Sequence, residues 1–274
     1  IGGTNWMSTI PYYRIINQKI NQQLGNNHSA RILLYSIDYQ KMKSLYGTEP
    51  TVGDSQNAWE KIGYALSDEI KFFAEKKPDC IVLCNNTLHK AVDKISLPPS
   101  IPFLHAGHLT ADEAVKNGYK KVLLLATKFT MEDGFYADYF KQKGIDVIIP
   151  TAEEREAIQD IQSKIASGKN DSSCIEGLSA IVNNYKGKVD SAILACTELP
   201  LALDTQKAKL PIINPVDCQC NAAVDFALNP SKFSDLSSLN ESKKSMMFDD
   251  IKQEGGKLLS DKQEIQTKKK IIIR

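Results

Sequence analysis

Short apolar runs alternate with longer stretches of helical periodicity along most of this chain, and that alternation restricts the fold more than any other feature. Between Thr9 and Leu24, apolar side chains at Tyr12, Ile15, Ile16, Ile20 and Leu24 recur at helical spacing. Ala30–Tyr35 then reads as a short strand buried on both faces, and a long helix over 56–75 carries Trp59, Ile62, Ala65, Ile70 and Phe73 near its apolar stripe. Strands follow at Cys80–Cys84 and Pro102–His105, then a helix from Ala111, a strand at Lys121–Ala126 and a helix over Met131–Lys143. A strand at Asp146–Ile149 precedes helices at Glu153–Ser167 and Cys174–Tyr185. Strands at Ser191–Ala195 and Pro211–Ile213 and a helix over Asp217–Leu228 complete the pattern. It predicts an α/β fold of open parallel sheets with helices on both faces. Such sheets bind ligands outside the carboxyl ends of their strands.

The 274 residues suffice for two lobes, and 42% apolar with 24% charged residues excludes a disordered or fibrous chain. With 34 basic against 33 acidic residues, nothing draws the chain to nucleic acid or an anionic membrane. No apolar run approaches the ~20 residues that span a bilayer. Six cysteines (Cys80, Cys84, Cys174, Cys196, Cys218 and Cys220) are too few for a disulfide scaffold and form no paired CxxC knuckles, which suits a reducing cytoplasm. The sequence opens at Ile1-Gly2-Gly3-Thr4-Asn5 without an initiator Met, and a strand is expected ahead of these glycines. Gly2-Gly3 has neither phosphate-loop spacing. Beyond Leu228 the texture becomes polar, serine-rich and basic, ending in Lys268-Lys269-Lys270, and is read as a solvated extension.

Two segments echo one another. Ile81-Val82-Leu83-Cys84-Asn85-Asn86-Thr87 and Ala192-Ile193-Leu194-Ala195-Cys196-Thr197-Glu198 each run an apolar strand into a cysteine and small polar residues. Small polar residues at a strand end expose donors that can hold a carboxylate, and a thiol there can serve as base or nucleophile. Two such loops facing across a cleft suit proton removal from carbon next to a carboxylate. Burial as a small hydrophobe is the competing reading of any one of these cysteines. His89 is expected to open a helix, and His105-x-x-His108 lacks a carboxylate cluster that would make it a metal signal.

A further set of motifs runs along residues 1–228: Gly2-Gly3-Thr4-Asn5-Trp6-Met7-Ser8-Thr9, Tyr12-Tyr13 with Ile16-Asn17, His28-Ser29-Ala30, Ser36-Ile37-Asp38, Asn86-Thr87-Leu88-His89-Lys90, Thr130-Met131-Glu132 with Phe135-Tyr136, and Cys196-Thr197-Glu198. In these motifs and their order the chain resembles the aspartate/glutamate racemase family. The resemblance implies two pseudo-symmetric α/β lobes, 1–98 with 208–228 and 99–207, an extension over 229–274, and an active site in the cleft between the lobes. It further implies a homodimer and racemisation of acidic amino acids by bases on opposite faces of the α-carbon, with neither cofactor nor metal. Carried over by position, Cys196 matches the second-lobe catalytic cysteine. Asn86, Thr87 and Thr197 match the residues that hold the α-carboxylate. Thr4 falls at the cleft mouth, and Thr130 and Tyr46 are further substrate-binding positions.

The sequence also departs from the family pattern. The first-lobe base normally stands immediately before the Asn-Thr pair, where this chain has Asn85; Cys84 is one residue earlier and on a straight strand points to the other face. The lysine that meets a distal carboxylate is replaced by Ala157, with Glu156 beside it and Arg155 read as structural. Three readings follow. The first is a racemase-type enzyme with Cys196 as acid/base and Asn85 as a donor to the developing enediolate. The second is a single-cysteine decarboxylase, or an isomerase, of the same superfamily. The third is an inactive ligand-binding homologue.

Overall fold

A computed structural model describes residues 1–3, 6–45 and 55–229. Thr4, Tyr46 and the extension beyond Asn229 lie outside the described residues. The second lobe is built on four parallel strands, β1 (Lys121–Leu125), β2 (Asp146–Ile148), β3 (Ser191–Leu194) and β4 (Ile212–Ile213), in the order β2-β1-β3-β4. β1 and β3 are buried almost throughout, as their near-continuous apolar sequences require in a sheet covered on both faces. Their cover comes from α5 (Ala106–Lys116), α6 (Lys128–Asp133), α7 (Phe135–Lys141), α8 (Ala152–Ala166) and α9 (Ser172–Asn183), which share one core with the sheet. Ile212–Ile213, grouped with the first lobe in the sequence, hydrogen-bonds to β3.

The first lobe repeats this strand order in shorter form. Gly2 N–H donates to Tyr35 O (2.9 Å) and Ile37 N–H to Gly2 O (3.0 Å), while Cys84 N–H donates to Ile1 O (2.9 Å). Ile81 N–H reaches Pro102 O (2.8 Å) and Leu104 N–H returns to Ile81 O (2.9 Å). The order is therefore 35–37, 1–2, 81–84, 103–104, the same as that of the second sheet. Ladders expected over Ala30–Tyr35, Cys80–Cys84 and Pro102–His105 reduce to single parallel bridges, Gly2 to Ser36 and Ile81 to Phe103. Pro102 has no N–H to donate. Ala30–Tyr35 occupies the edge, where Leu33 and Leu34 are exposed instead of buried on both faces. Trp59, Ile62, Leu66 and Ile70 of α3 (Ser55–Ala74) bury against Ile81, Leu83 and Leu88 to form this lobe's core.

Helices α1 (Trp6–Leu24), with Pro11 inside it, and α10 (Pro215–Leu228) join the lobes. α10 starts on Asn214, whose side chain accepts from Val216 N–H, with Pro215 at the first helical position where a missing N–H costs nothing. Gln219 on α10 is fully buried; it accepts from the Tyr12 hydroxyl (2.7 Å) and donates to Leu104 O (2.7 Å). Gln219→Leu would leave both groups without partners in an apolar setting. An expected loss of about 2–4 kcal/mol follows, read as a lower urea midpoint.

Two boundaries differ from the periodicity reading. α5 begins at Ala106, ahead of Ala111, because the His105 side chain accepts from His108 N–H and caps it. The helix expected over Met131–Lys143 is two helices, broken where Gly134 takes the left-handed region (φ 88°). The pattern does not predict the short helix α2 (Tyr39–Ser44), whereas α4 (His89–Val92) opens on His89 as anticipated.

Candidate active site

β1 and β3 are register partners through Leu125 and Leu194, so the loops that follow leave the sheet side by side. Ala195 N–H still bonds Leu125 O (2.7 Å), and Cys196 is the next residue, buried at 6% exposure. The chain then tightens, with Leu199 N–H on Cys196 O (3.2 Å) and a 3₁₀ turn over Leu199–Ala202. This turn folds Glu198 back so that Cys196 Sγ donates to Glu198 Oε2 at 3.0 Å. The Thr197 hydroxyl donates to the same oxygen (3.0 Å), and Ser8 Oγ of α1 lies 2.7 Å from Thr197 Oγ1 and 3.5 Å from Glu198 Oε1. Burial, reinforced by the Glu198 carboxylate, pushes the Cys196 thiol well above its ordinary pKa. At neutral pH the thiol is protonated.

The first-lobe strand end is organised differently. Ile81 and Leu83 face the α3 core, while Val82 and Cys84 face a small cluster of Tyr12, Val216 and Cys220. This is the two-residue alternation of extended chain. The backbone turns sharply around Cys84, with Asn85 N–H on Leu83 O (2.8 Å). Cys84 nevertheless sits within that apolar cluster, and burial raises its pKa. Asn85 uses its side-chain oxygen to accept from Leu88 N–H (2.7 Å), so it secures the turn into α4.

Asn86 is 4% exposed; its Oδ1 accepts from the Tyr136 hydroxyl (3.3 Å) and its Nδ2 is a buried donor with no partner among the described residues. Thr87 Oγ1 lies 3.1 Å from Thr130 Oγ1, which also accepts from Thr127 Oγ1 (3.0 Å). Thr127 caps α6, so this hydroxyl chain reaches from the first-lobe loop onto the second-lobe loop after β1. Below it, Lys90 of α4 pairs with Asp133 of α6 (2.5 Å), with its ammonium against the rings of Trp59 (4.8 Å) and Phe129 (5.2 Å). Both members are largely buried, so the pair holds Thr87 and Thr130 in register.

The structure thus gathers Cys196 and Thr197 into one polar cluster and Asn86, Thr87 and Thr130 into another, at neighbouring strand ends. Thr4 and Tyr46 fall outside the described residues. Sequence reasoning missed roles for Ser8 and Glu198, although both stand inside the recognised motifs, and for Thr127 and Tyr136. Arg155 is structural, donating to Glu132 Oε1 (2.9 Å) and Pro150 O (2.7 Å), and Glu156 pairs with Lys128. Ala157 is exposed on α8. His89 is fully buried; its Nε2 accepts from Ala106 N–H (3.1 Å), and burial, then the neighbouring His105, holds it well below the usual histidine range. Among the described residues no helix is long and apolar enough to cross a membrane.

Two half-buried thiols have a consequence for stability. Burial raises Cys80 to about 11 and Cys218 to about 12, above the ~8.5 of an unfolded thiol. Above that unfolded value the unfolded chain binds fewer protons than the native one. The stability these thiols contribute is therefore complete below ~8.5 and lost as pH rises through about 11 and 12. Urea midpoints should fall between pH 8.5 and 10.5, and Cys218→Ala should flatten that slope.

A four-stranded parallel sheet and a set of bridged segments in the same order, each with a polar cluster at its carboxyl end, define an α/β protein of two lobes. The sequence profile of the Asp/Glu/hydantoin racemase family matches residues 1–223. The structure of a Yersinia pestis protein assigned as an Asp/Glu racemase superposes with a TM-score of 0.73 at 33% identity, covering 83% of this chain and 97% of that one. An aspartate racemase homologue from Pyrococcus horikoshii OT3 gives 0.70 at 25% identity, with 83% and 97% covered. Glutamate racemase of Aquifex pyrophilus is 26% identical over 155 residues, 53% of this chain and 56% of that protein. The chain matches only about half the length of such curated relatives. It belongs to the Asp/Glu/hydantoin racemase family, a family of isomerases.

Proposed function

We propose that this protein moves a proton at the α-carbon of a small amino-acid carboxylate, without a cofactor, with Cys196 as its acid/base. The observation that carries the reading is the 3.0 Å contact between the buried Cys196 thiol and Glu198. A thiol of raised pKa gives a thiolate of high basicity, which suits a proton as reluctant as one on carbon. Glu198 Oε2 accepts the Sγ proton, the thiolate takes the Cα proton, and the electron pair passes into the carboxylate as an enediolate. The unpartnered Asn86 Nδ2 and the hydroxyls of Thr87 and Thr197 hold that carboxylate and bind it more tightly as charge develops.

With Asn85 at the sequence position of the first-lobe base and its side chain spent on the turn into α4, the reaction is one-sided. Deuterium should enter Cα from heavy water with one enantiomer of an acidic amino acid and little inversion. Equal inversion from both enantiomers would show that a second base acts in place of Asn85. The packing of Cys84 against Tyr12, Val216 and Cys220 also supports a single-thiol decarboxylase, in which Cys196 protonates a planar intermediate. Carbon dioxide release from an aryl- or alkyl-malonate separates the two. The absence of a cation at Ala157 argues against tight binding of a second carboxylate. Six free thiols support a cytoplasmic setting, and the exposed Trp6, Ile10 and Tyr13 along α1 support a homodimer.

A further inference from the structure

His105-x-x-His108 gains in the fold what its sequence lacks, a carboxylate. Asp93, at the end of α4, comes against the start of α5, and one ligand atom each from Asp93, His105 and His108 lie within 4.8 Å of one another. We propose that these three side chains bind a divalent transition-metal ion of the zinc type, with water completing the coordination.

The geometry is close to what such an ion needs. Bonds of about 2.0–2.1 Å in tetrahedral arrangement set ligand atoms ~3.3 Å apart. Asp93 Oδ1 and His105 Nε2 are 3.5 Å apart already. The half-buried His108 has only to close the remaining gap by side-chain rotation. His105 is 9% exposed, yet among the described residues its Nε2 has no hydrogen-bond partner of good geometry, so a buried ring nitrogen is aimed into the cluster with its capacity unused. The Tyr139 hydroxyl donates to Asp93 Oδ2 (2.5 Å), which fixes the carboxylate with Oδ1 beside His105 Nε2. That is the outer-shell support ligating carboxylates usually have. Two imidazoles and a carboxylate favour zinc, cobalt or nickel over magnesium or calcium. Asp93 remains 31% exposed at its side chain, which gives the ion a way in.

Binding has one local cost. His105 Nδ1 accepts from His108 N–H (3.3 Å), so the ring proton of the ion-free chain is on Nε2. The ion takes the Nε2 lone pair, the proton moves to Nδ1, and the long cap bond is released. The bound ion would clip the end of α4 to α5 and α7.

The test is titration of the tag-free full chain with Co²⁺ under reducing conditions, followed by displacement with Zn²⁺. One Co²⁺ per chain is expected, with visible d–d bands of a nitrogen/oxygen site and no thiolate charge-transfer band. His108→Ala and Asp93→Asn should each weaken binding at least about a hundredfold, and Tyr139→Phe about ten- to a hundredfold. Thermal melts of each variant establish that it is folded, and the near-isosteric Asp93→Asn keeps the test open if His108→Ala is not. Failure to retain Co²⁺, a thiolate band, or an affinity indifferent to both Asp93→Asn and His108→Ala would overturn the proposal. None of these outcomes depends on the reaction at Cys196.

Discussion

Cys196→Ala is expected to lower α-proton exchange by about 10²–10⁴-fold, the range a positioned acid/base contributes, with the chain still folded. The substitution removes one buried sulfur beside β3 and leaves a small void, so stability should fall by only about 1 kcal/mol. Glu198→Gln probes the other half of the pair. It keeps the shape and a hydrogen-bond acceptor for Cys196 Sγ but cannot store the thiol proton. It should lower kcat with little change in KM, since the step it weakens is formation of the thiolate. Asn86→Ala should raise KM and lower kcat together, because the orphaned Nδ2 is assigned to the carboxylate both as it binds and as charge develops on it. Exchange in heavy water, followed by mass spectrometry on each enantiomer, reads all three. Retention of full exchange by Cys196→Ala would remove this thiol from the reaction and leave a different base as the better account.

Gly107→Ala should destabilise the fold by about 3 kcal/mol, against the ordinary sign of this change. A glycine in a helix usually gains about 0.5–1 kcal/mol on replacement by alanine, because the unfolded chain loses freedom. Here a Cβ would stand 2.2 Å from Tyr139 Cδ2 and 2.4 Å from Cε2, far inside the ~3.5–4.0 Å of carbon contact. The Tyr139 ring is buried at 3% exposure and its hydroxyl is tied to Asp93, so it cannot withdraw without losing that bond and its packing. The urea midpoint should drop with the m-value unchanged. Tyr139→Leu in the same chain should restore part of the loss, since it removes the atoms the new methyl strikes. An unchanged or raised midpoint for Gly107→Ala alone would mean that the helix start moves freely away from Tyr139.

Much of the fold was legible because it depends on local pattern. β1 and β3 are runs of Val, Leu and Ile that only a sheet covered on both faces can bury, and α8 begins on a Thr151–Glu154 capping box visible in the sequence. Misjudged elements were those set by neighbours. Leu33 and Leu34 look like core residues but lie exposed on an edge with no strand outside them among the described residues. α5 starts early because His105 reaches His108 N–H, and histidine is not among the usual caps. Gly134 splits a helix whose periodicity runs through it, since a left-handed residue changes direction without disturbing the apolar spacing.

The sequence by itself determined the parallel α/β class, the placing of Cys196 and of Asn85-Asn86-Thr87 at strand ends, and the family. These follow from periodicity and from the order of short motifs. Only the tertiary structure decided which groups meet. It put Cys84 among Tyr12, Val216 and Cys220, gave Cys196 the Glu198 carboxylate, left Asn86 Nδ2 open, and brought Asp93 to His105 and His108. The physical reason is that a side chain's chemistry is set by burial and by the groups within about 3–4 Å. For nearly all of these residues the partners arrive from other segments of the chain. Glu198 is the exception, and there the tight turn after β3 aims its carboxylate at the thiol two residues before it.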